Sequence, residues 1–192
     1  TTVYTPQLLP SPHGESIPHL HNRLATALQA VICDLDAEIA RAEATLPPEQ
    51  RTPKAVLFVS HAASLIAMGR VLTGCMPEDP GVEDFHVFTA GLSRFSRRRG
   101  PVEAEGEDGG RREEGDDERE LAPGTRILRP GTAVPDWTRG RGVGGGWDCV
   151  ANGDCSFLSC GAERGWHFNG EESFDTPPFP PPMEVGSSGT KL

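Results

Sequence analysis

The chain has 192 residues and a formal charge of −10, with 18 Lys and Arg against 28 Asp and Glu. A general basic footprint for neutralising phosphates is therefore absent, and no direct nucleic-acid contact is expected. Glycine (23) and proline (18) exceed a fifth of the chain, and hydrophobic residues make up only 36%. The apolar residues concentrate in residues 17–98, where a core is to be sought.

No run approaches the ~20 apolar residues of a membrane span, so no membrane partner is expected. The opening Thr1-Thr2-Val3-Tyr4 has no basic region followed by an apolar one, and it is not read as a signal peptide. It also lacks an initiator Met, as a processed chain or one beginning mid-protein would. Cys33, Cys75, Cys149, Cys155 and Cys160 form an odd, scattered set that argues for a reducing compartment over a disulfide framework. The last three lie close together without a C-x-x-C pair; thiols are expected, with no metal and no cofactor.

Residues 1–16 read as an irregular entry segment. Leu20, Leu24, Leu28, Val31, Leu35 and Ile39 then recur at three- and four-residue spacing, with Ala27 and Ala42 on the same stripe. The opposite face carries Asn22, Gln29, Asp36 and Glu43. This predicts an amphipathic helix over 18–45, capped by Ser16, with Pro18 in its first turn and Pro47-Pro48 as its stop.

The run Ala55-Val56-Leu57-Phe58-Val59 is too short for a helix, and its unbroken apolarity predicts a strand buried on both faces. Ala63, Ile66, Ala67, Val71 and Leu72 predict a helix over 62–73, ended by Gly74. Residues 85–95 alternate as a further strand that Gly91 bends or bulges. Helix, buried strand, helix and strand make an α/β order.

Residues 99–122 are almost wholly Gly, Glu, Asp and Arg and are expected to be a disordered acidic linker. A β-rich module is expected over 123–176, with turns at Gly144-Gly145-Gly146, Asn152-Gly153-Asp154 and Asn169-Gly170. Its aromatic residues serve either hairpin packing or an interface, and Trp147, Phe157, Leu158, Trp166, Phe168 and Phe174 are the candidate partner contacts. His167 and Glu171-Glu172 are read as solvated. Residues 177–192, led by Pro177-Pro178-Phe179-Pro180-Pro181-Pro182, are expected to be an extended, disordered tail.

His61 stands between the expected buried strand and the helix after it. That crevice is where open α/β sheets bind ligands, and the helix N-terminus favours an anion. A histidine packed at a strand-end turn accounts for it equally well on spacing alone.

The segment Val59-Ser60-His61-Ala62-Ala63-Ser64 resembles the second histidine motif of the histidine phosphatase (phosphoglycerate-mutase-like) superfamily. Gly14-Glu15-Ser16…Leu20…Arg23 resembles the segment preceding that motif, so the resemblance covers residues 13–97. It implies a partial three-layer histidine-phosphatase-like domain over 1–98, with Ser60, His61 and Ala62 as phosphate-binding candidates. The superfamily's nucleophile lies in an Arg-His-Gly triplet that this sequence lacks; Pro12-His13-Gly14 has proline in place of the arginine. Transfer through phosphohistidine needs a nucleophile, arginines and a proton donor. His61 alone is a remnant of such a site, and no complete catalytic set is expected.

A phosphatase-like domain, an acidic linker and the stretch Gly146-Trp147…Asn152-Gly153-Asp154-Cys155-Ser156-Phe157-Leu158…Glu163-Arg164-Gly165-Trp166-His167-Phe168 together resemble the small tau-subunit family of the fungal RNA polymerase III transcription factor TFIIIC. This implies a non-catalytic interaction subunit, nuclear, held to a larger tau subunit through the C-terminal β module by strand addition. The alternative is a phosphomonoesterase or phosphoglycerate-mutase-like enzyme seen as a partial chain, with a cytoplasmic location as its counterpart.

Overall fold

The computed structural model describes residues 6–98 and 119–168. Expectations for residues 1–5, for the acidic stretch over 99–118, and for Glu171, Glu172, Phe174 and the proline-rich 177–192 lie outside the described residues.

Helix α1 spans Ile17–Glu43. The Ser16 hydroxyl accepts the His19 amide at 3.3 Å, and Pro18 sits in the first turn, where a missing N–H costs nothing. Helix α2 spans Ala62–Thr73 and ends on Gly74 in the left-handed conformation (φ 78°), whose amide returns to the Arg70 carbonyl. The two helices pack together, and both were expected within two residues of these bounds.

The strands are short. β1 (Leu8–Leu9), β2 (Val87–Phe88), β3 (Leu92–Arg97), β4 (Arg126–Ile127), β5 (Trp147–Asp154) and β6 (Gly165–Trp166) form three antiparallel two-stranded ladders, β1–β4, β2–β6 and β3–β5. The chain is thus a mixture of helices and small antiparallel sheets. The strand expected over 85–95 is divided in two. Ala90 takes φ 58° and the Gly91 amide returns to the Phe88 carbonyl, so a tight turn separates β2 from β3. The turn expected at Asn152-Gly153-Asp154 lies instead in the last residues of β5. There the Asn152 amide bonds the Asp84 carbonyl, and its oxygen accepts from the His86 amide, which ties β5 to the loop before β2.

Every ladder joins a strand from residues 6–98 to one from 119–168. The core is shared in the same way. Ala25, Leu28, Ile32 and Val71 of the helices enclose Trp137 and Val143, while Ile66 and Phe85 enclose Phe168. The described parts of the two expected units therefore make one set of ladders and clusters. The last residues of the expected linker belong to it too: Ala122 is buried, and the Glu120 carbonyl accepts from Asn22 at 2.9 Å.

That packing explains an unexpected polarity. Asn22, Gln29 and Asp36 were expected on the water-facing side of α1, but the C-terminal segment lies over Asn22 and Gln29, and β3 reaches Asp36. Asn22 is buried and accepts the Trp137 indole N–H at 3.2 Å. Gln29 accepts the Gly144 amide at 2.8 Å, and Asp36 holds Arg97 through two bonds of 2.7 and 2.9 Å. Loops carry many backbone N–H and C=O groups, so a polar helix face suits them as a docking surface.

Arg70 on α2 is fully buried, although arginine is rarely so. It makes a forked pair with Asp84 at 2.8–3.1 Å, donates to the Pro80 and Val82 carbonyls, and lies 5.5 Å over the Phe168 ring. The guanidinium thus folds the loop after α2 back onto the helix and seats the last described aromatic residue.

Candidate functional site

The strand expected over residues 55–59 is not formed. The segment forms no regular element and lies outside any ladder, and among the described residues its backbone makes no hydrogen bond. Val56 is 51% exposed, Leu57 76%, Phe58 42% and Val59 88%. A β-branched apolar run becomes a buried strand only where a sheet receives it. Here the ladders are two strands wide and are built from other residues. Four consecutive large apolar side chains in water are the least expected feature of the surface.

This run leads directly into Ser60, His61 and Ala62. His61 is the N-cap residue of α2, in extended conformation (φ −90°, ψ 161°), and its side chain makes no capping bond. The imidazole is exposed, beside the free amides of the first turn of α2. An anion reaching this point would meet an aromatic N–H and a helix dipole.

Four arginines of residues 6–98 are paired with carboxylates. Arg23 pairs with Glu15 at 2.6 Å, Arg70 with Asp84, Arg97 with Asp36 and Arg98 with Asp148 at 2.5 Å. His13 lies in an exposed turn after β1, its amide bonded to the Ser11 hydroxyl.

The expected partner contacts divide into two groups. Phe168 is buried against Ile66 and Phe85 and meets Trp166 edge-on at 5.0 Å. Trp147 donates to the Val143 carbonyl at 3.1 Å and lies under the Arg97 guanidinium. These three rings hold the C-terminal segment to the helices. Phe157 is exposed and Leu158 half-buried, in the turn after β5. Within the C-terminal segment, β4, β5 and β6 each pair with an N-terminal strand of the same chain.

A concavity of about 200 Å³ opens where β2 meets β6, between Glu83, His86, Phe88, Trp166 and His167. His167 Nδ1 approaches Glu83 Oε1 at 3.3 Å, both half-exposed, and His86 stacks on Phe88. Among the described residues, no group of three His, Cys, Asp or Glu side chains is placed to hold a metal ion. All five cysteines are free thiols, and burial pushes the Cys149 thiol above its ordinary value.

Two features escaped sequence reading: the exposure of residues 55–59 and the interior cluster around Arg70. The first carried a misleading signal, because its pattern is that of a buried strand. Arg70 carried none, because its partner Asp84 lies beyond a loop of no fixed pattern. Comparison with protein-family models, with curated proteins and with solved structures finds no match to this chain.

Proposed function

We propose that this chain is a non-catalytic interaction subunit whose principal contact surface is the exposed apolar run over residues 55–59. The carrying observation is that the apolar run joins no ladder, has no backbone hydrogen bond among the described residues and stands in water. Uncovered apolar surface of this kind recruits a partner or aggregates.

The proposal extends to the assembly. The resemblances at Val59-Ser60-His61-Ala62-Ala63-Ser64 and between Gly146 and Phe168 support a TFIIIC-like RNA polymerase III transcription factor, with a larger tau subunit as partner and a nuclear location. They also support a histidine-phosphatase ancestry for residues 13–97, in which a three-layered arrangement is completed only within the assembly. His61 is then a remnant. The exposed Phe157 is a secondary contact, while Trp147, Trp166 and Phe168 act indirectly by fixing the segment that carries it.

One observation favours the second reading, a phosphomonoesterase or mutase-like enzyme seen as a partial chain. His61 keeps an exposed imidazole at the N-terminus of α2. The two readings separate in one experiment on the full chain. It is affinity-tagged in a fungal extract, its captured partners are identified by mass spectrometry, and the purified protein is assayed for hydrolysis of phosphate monoesters. Recovery of large transcription-factor subunits without hydrolysis supports the interaction subunit. Hydrolysis that His61→Ala abolishes, without such partners, supports the enzyme.

A further inference from the structure

We infer that Thr52 is the acceptor site of a proline-directed protein kinase, and that Lys54 and Arg51 hold the phosphate it receives. Neither reading of the function given above is needed for it.

A hydroxyl residue followed by proline occurs twice among the described residues, at Ser11-Pro12 and at Thr52-Pro53. The structure separates the two. Ser11 is buried; its hydroxyl donates to the Pro123 carbonyl at 2.8 Å and accepts the His13 amide at 3.1 Å. No kinase reaches that oxygen in the folded chain. Thr52 lies in the stretch 47–61, where every residue is exposed and the single 3-10 turn Pro48–Gln50 is the one regular piece. A kinase groove takes several consecutive residues clear of other structure, and this stretch supplies them. Pro53 disfavours helical backbone at Thr52 and brings no N–H that the groove must satisfy.

The surroundings of the hydroxyl suit a phosphate. Lys54 Nζ lies 3.2 Å from Thr52 Oγ1, donates to the Thr52 carbonyl at 2.7 Å and pairs with Glu43 Oε1 at 2.6 Å. One ammonium therefore bridges the acceptor oxygen and the last residue of α1. Arg51 precedes Thr52 and is exposed; it donates through Nε to the Leu46 carbonyl at 3.2 Å, and no carboxylate pairs with it among the described residues. In the transfer, Thr52 Oγ1 attacks the γ-phosphorus of ATP held by the kinase. The Oγ1–P bond forms as the bond from that phosphorus to the β,γ-bridging oxygen breaks. ADP leaves with the electron pair, and the hydroxyl proton passes to a carboxylate of the kinase. The product carries a charge of about −1.5 to −2 at neutral pH where a neutral hydroxyl stood. It competes with Glu43 for Lys54 through charge-assisted bonds, and so loosens the tie between this stretch and the end of α1.

The test incubates the folded full chain with ATP and a purified mitogen-activated protein kinase, and reads the occupancy of each site by mass spectrometry after cleavage beyond Glu49. Thr52 should be phosphorylated while Ser11 is not. Pro53→Ala should slow modification of Thr52 at least about tenfold, which exposure alone would not do. Its thermal melt should match the wild type, because Pro53 stands in water. Phosphorus-31 titration of the product then reads the two cations. The second ionisation, ordinarily near ~6, should lie roughly 0.2–0.7 of a pH unit lower in the wild type than in Lys54→Ala, the range an exposed ion pair allows. An unmodified Thr52, a Ser11 modified as fast as Thr52, or a wild-type rate in Pro53→Ala overturns the inference. So does a phosphorus titration that Lys54→Ala leaves unchanged. None of these results alters what the partner-capture and hydrolysis measurements say about the function.

Discussion

Protonation of His21 should unlock the C-terminal segment from α1. The ring is fully buried and stacks on Trp137 with centroids 6.0 Å apart; Phe168 meets it at 6.2 Å from the other segment end. Its Nδ1–H donates to the Ile17 carbonyl at 2.7 Å, which leaves Nε2 as a buried lone pair with no partner. A proton there must be accommodated without water. Burial accordingly lowers the pKa from 6.5 to about 4; the Arg70 cation adds to the effect, while the Ile17 carbonyl and the Asp84 carboxylate oppose it.

The sign follows from linkage. Above pH 6.5 the ring is neutral folded and unfolded, and stability is complete. Between 6.5 and about 4 the unfolded chain binds a proton that the folded chain refuses, so stability falls as pH falls. At ~1.36 kcal/mol per pH unit the loss is about 2 kcal/mol at pH 5 and about 3.4 kcal/mol below pH 4. That is a large part of the ~5–15 kcal/mol that holds an ordinary domain. The assay is urea unfolding followed by tryptophan fluorescence from pH 7.5 to 4, on the wild type and on His21→Gln, which has no titrating ring. Wild type should lose about 2 kcal/mol more than His21→Gln between pH 7 and 5. Parallel pH profiles for the two proteins would refute the reasoning.

Further predictions concern the same junction. Trp137→Ala removes a core ring and leaves Asn22 without its indole donor, so thermal unfolding should show a loss of about 3–5 kcal/mol. Arg70→Ala leaves the Asp84 carboxylate partly buried without its fork and should cost about 3–5 kcal/mol; Arg70→Lys should not restore it, because one ammonium cannot reach Asp84, Pro80 and Val82 together. Gly74→Ala should cost more than ~1 kcal/mol by denaturant unfolding, since φ is 78° and the new methyl would fall 2.5 Å from the Gly142 amide nitrogen. By contrast, Leu57→Ser and Val59→Ser should leave the melting temperature of the isolated chain nearly unchanged, within ~0.5 kcal/mol, because both side chains stand in water.

What the sequence made legible was local. Ser16, Pro18 and Gly74 are punctuation that acts through neighbouring backbone groups, and it marked α1 and α2 closely. Pairings across residues 99–118 were not legible, because no turn or spacing links Leu92 to Asp154 or Leu8 to Ile127. Of the expected helical stripe, Leu24 and Leu28 are buried, whereas Val31 is half-buried and the buried Ala25 and Ile32 lay off it. The assumption that water lies opposite the stripe failed at Asn22 and Gln29, where the C-terminal segment supplies the partners, and at Asp36, which holds Arg97 of β3. At residues 55–59 the local pattern names a conformation and an environment. The segment joins no ladder, and nothing among the described residues supplies the environment. His61 was placed correctly at the head of a helix, but the buried strand expected to aim it is missing.

The central claim is that the run over 55–59 is a contact surface, and the most direct measurement is the native mass of the chain with and without it. Size exclusion with light scattering on chain purified under native conditions should give an assembly far heavier than 20.6 kDa for the wild type. Leu57→Asp with Val59→Asp should run as a folded 20.6 kDa monomer with an unchanged melt. A wild type already monomeric, or a double variant that stays in the heavy assembly, would contradict the account.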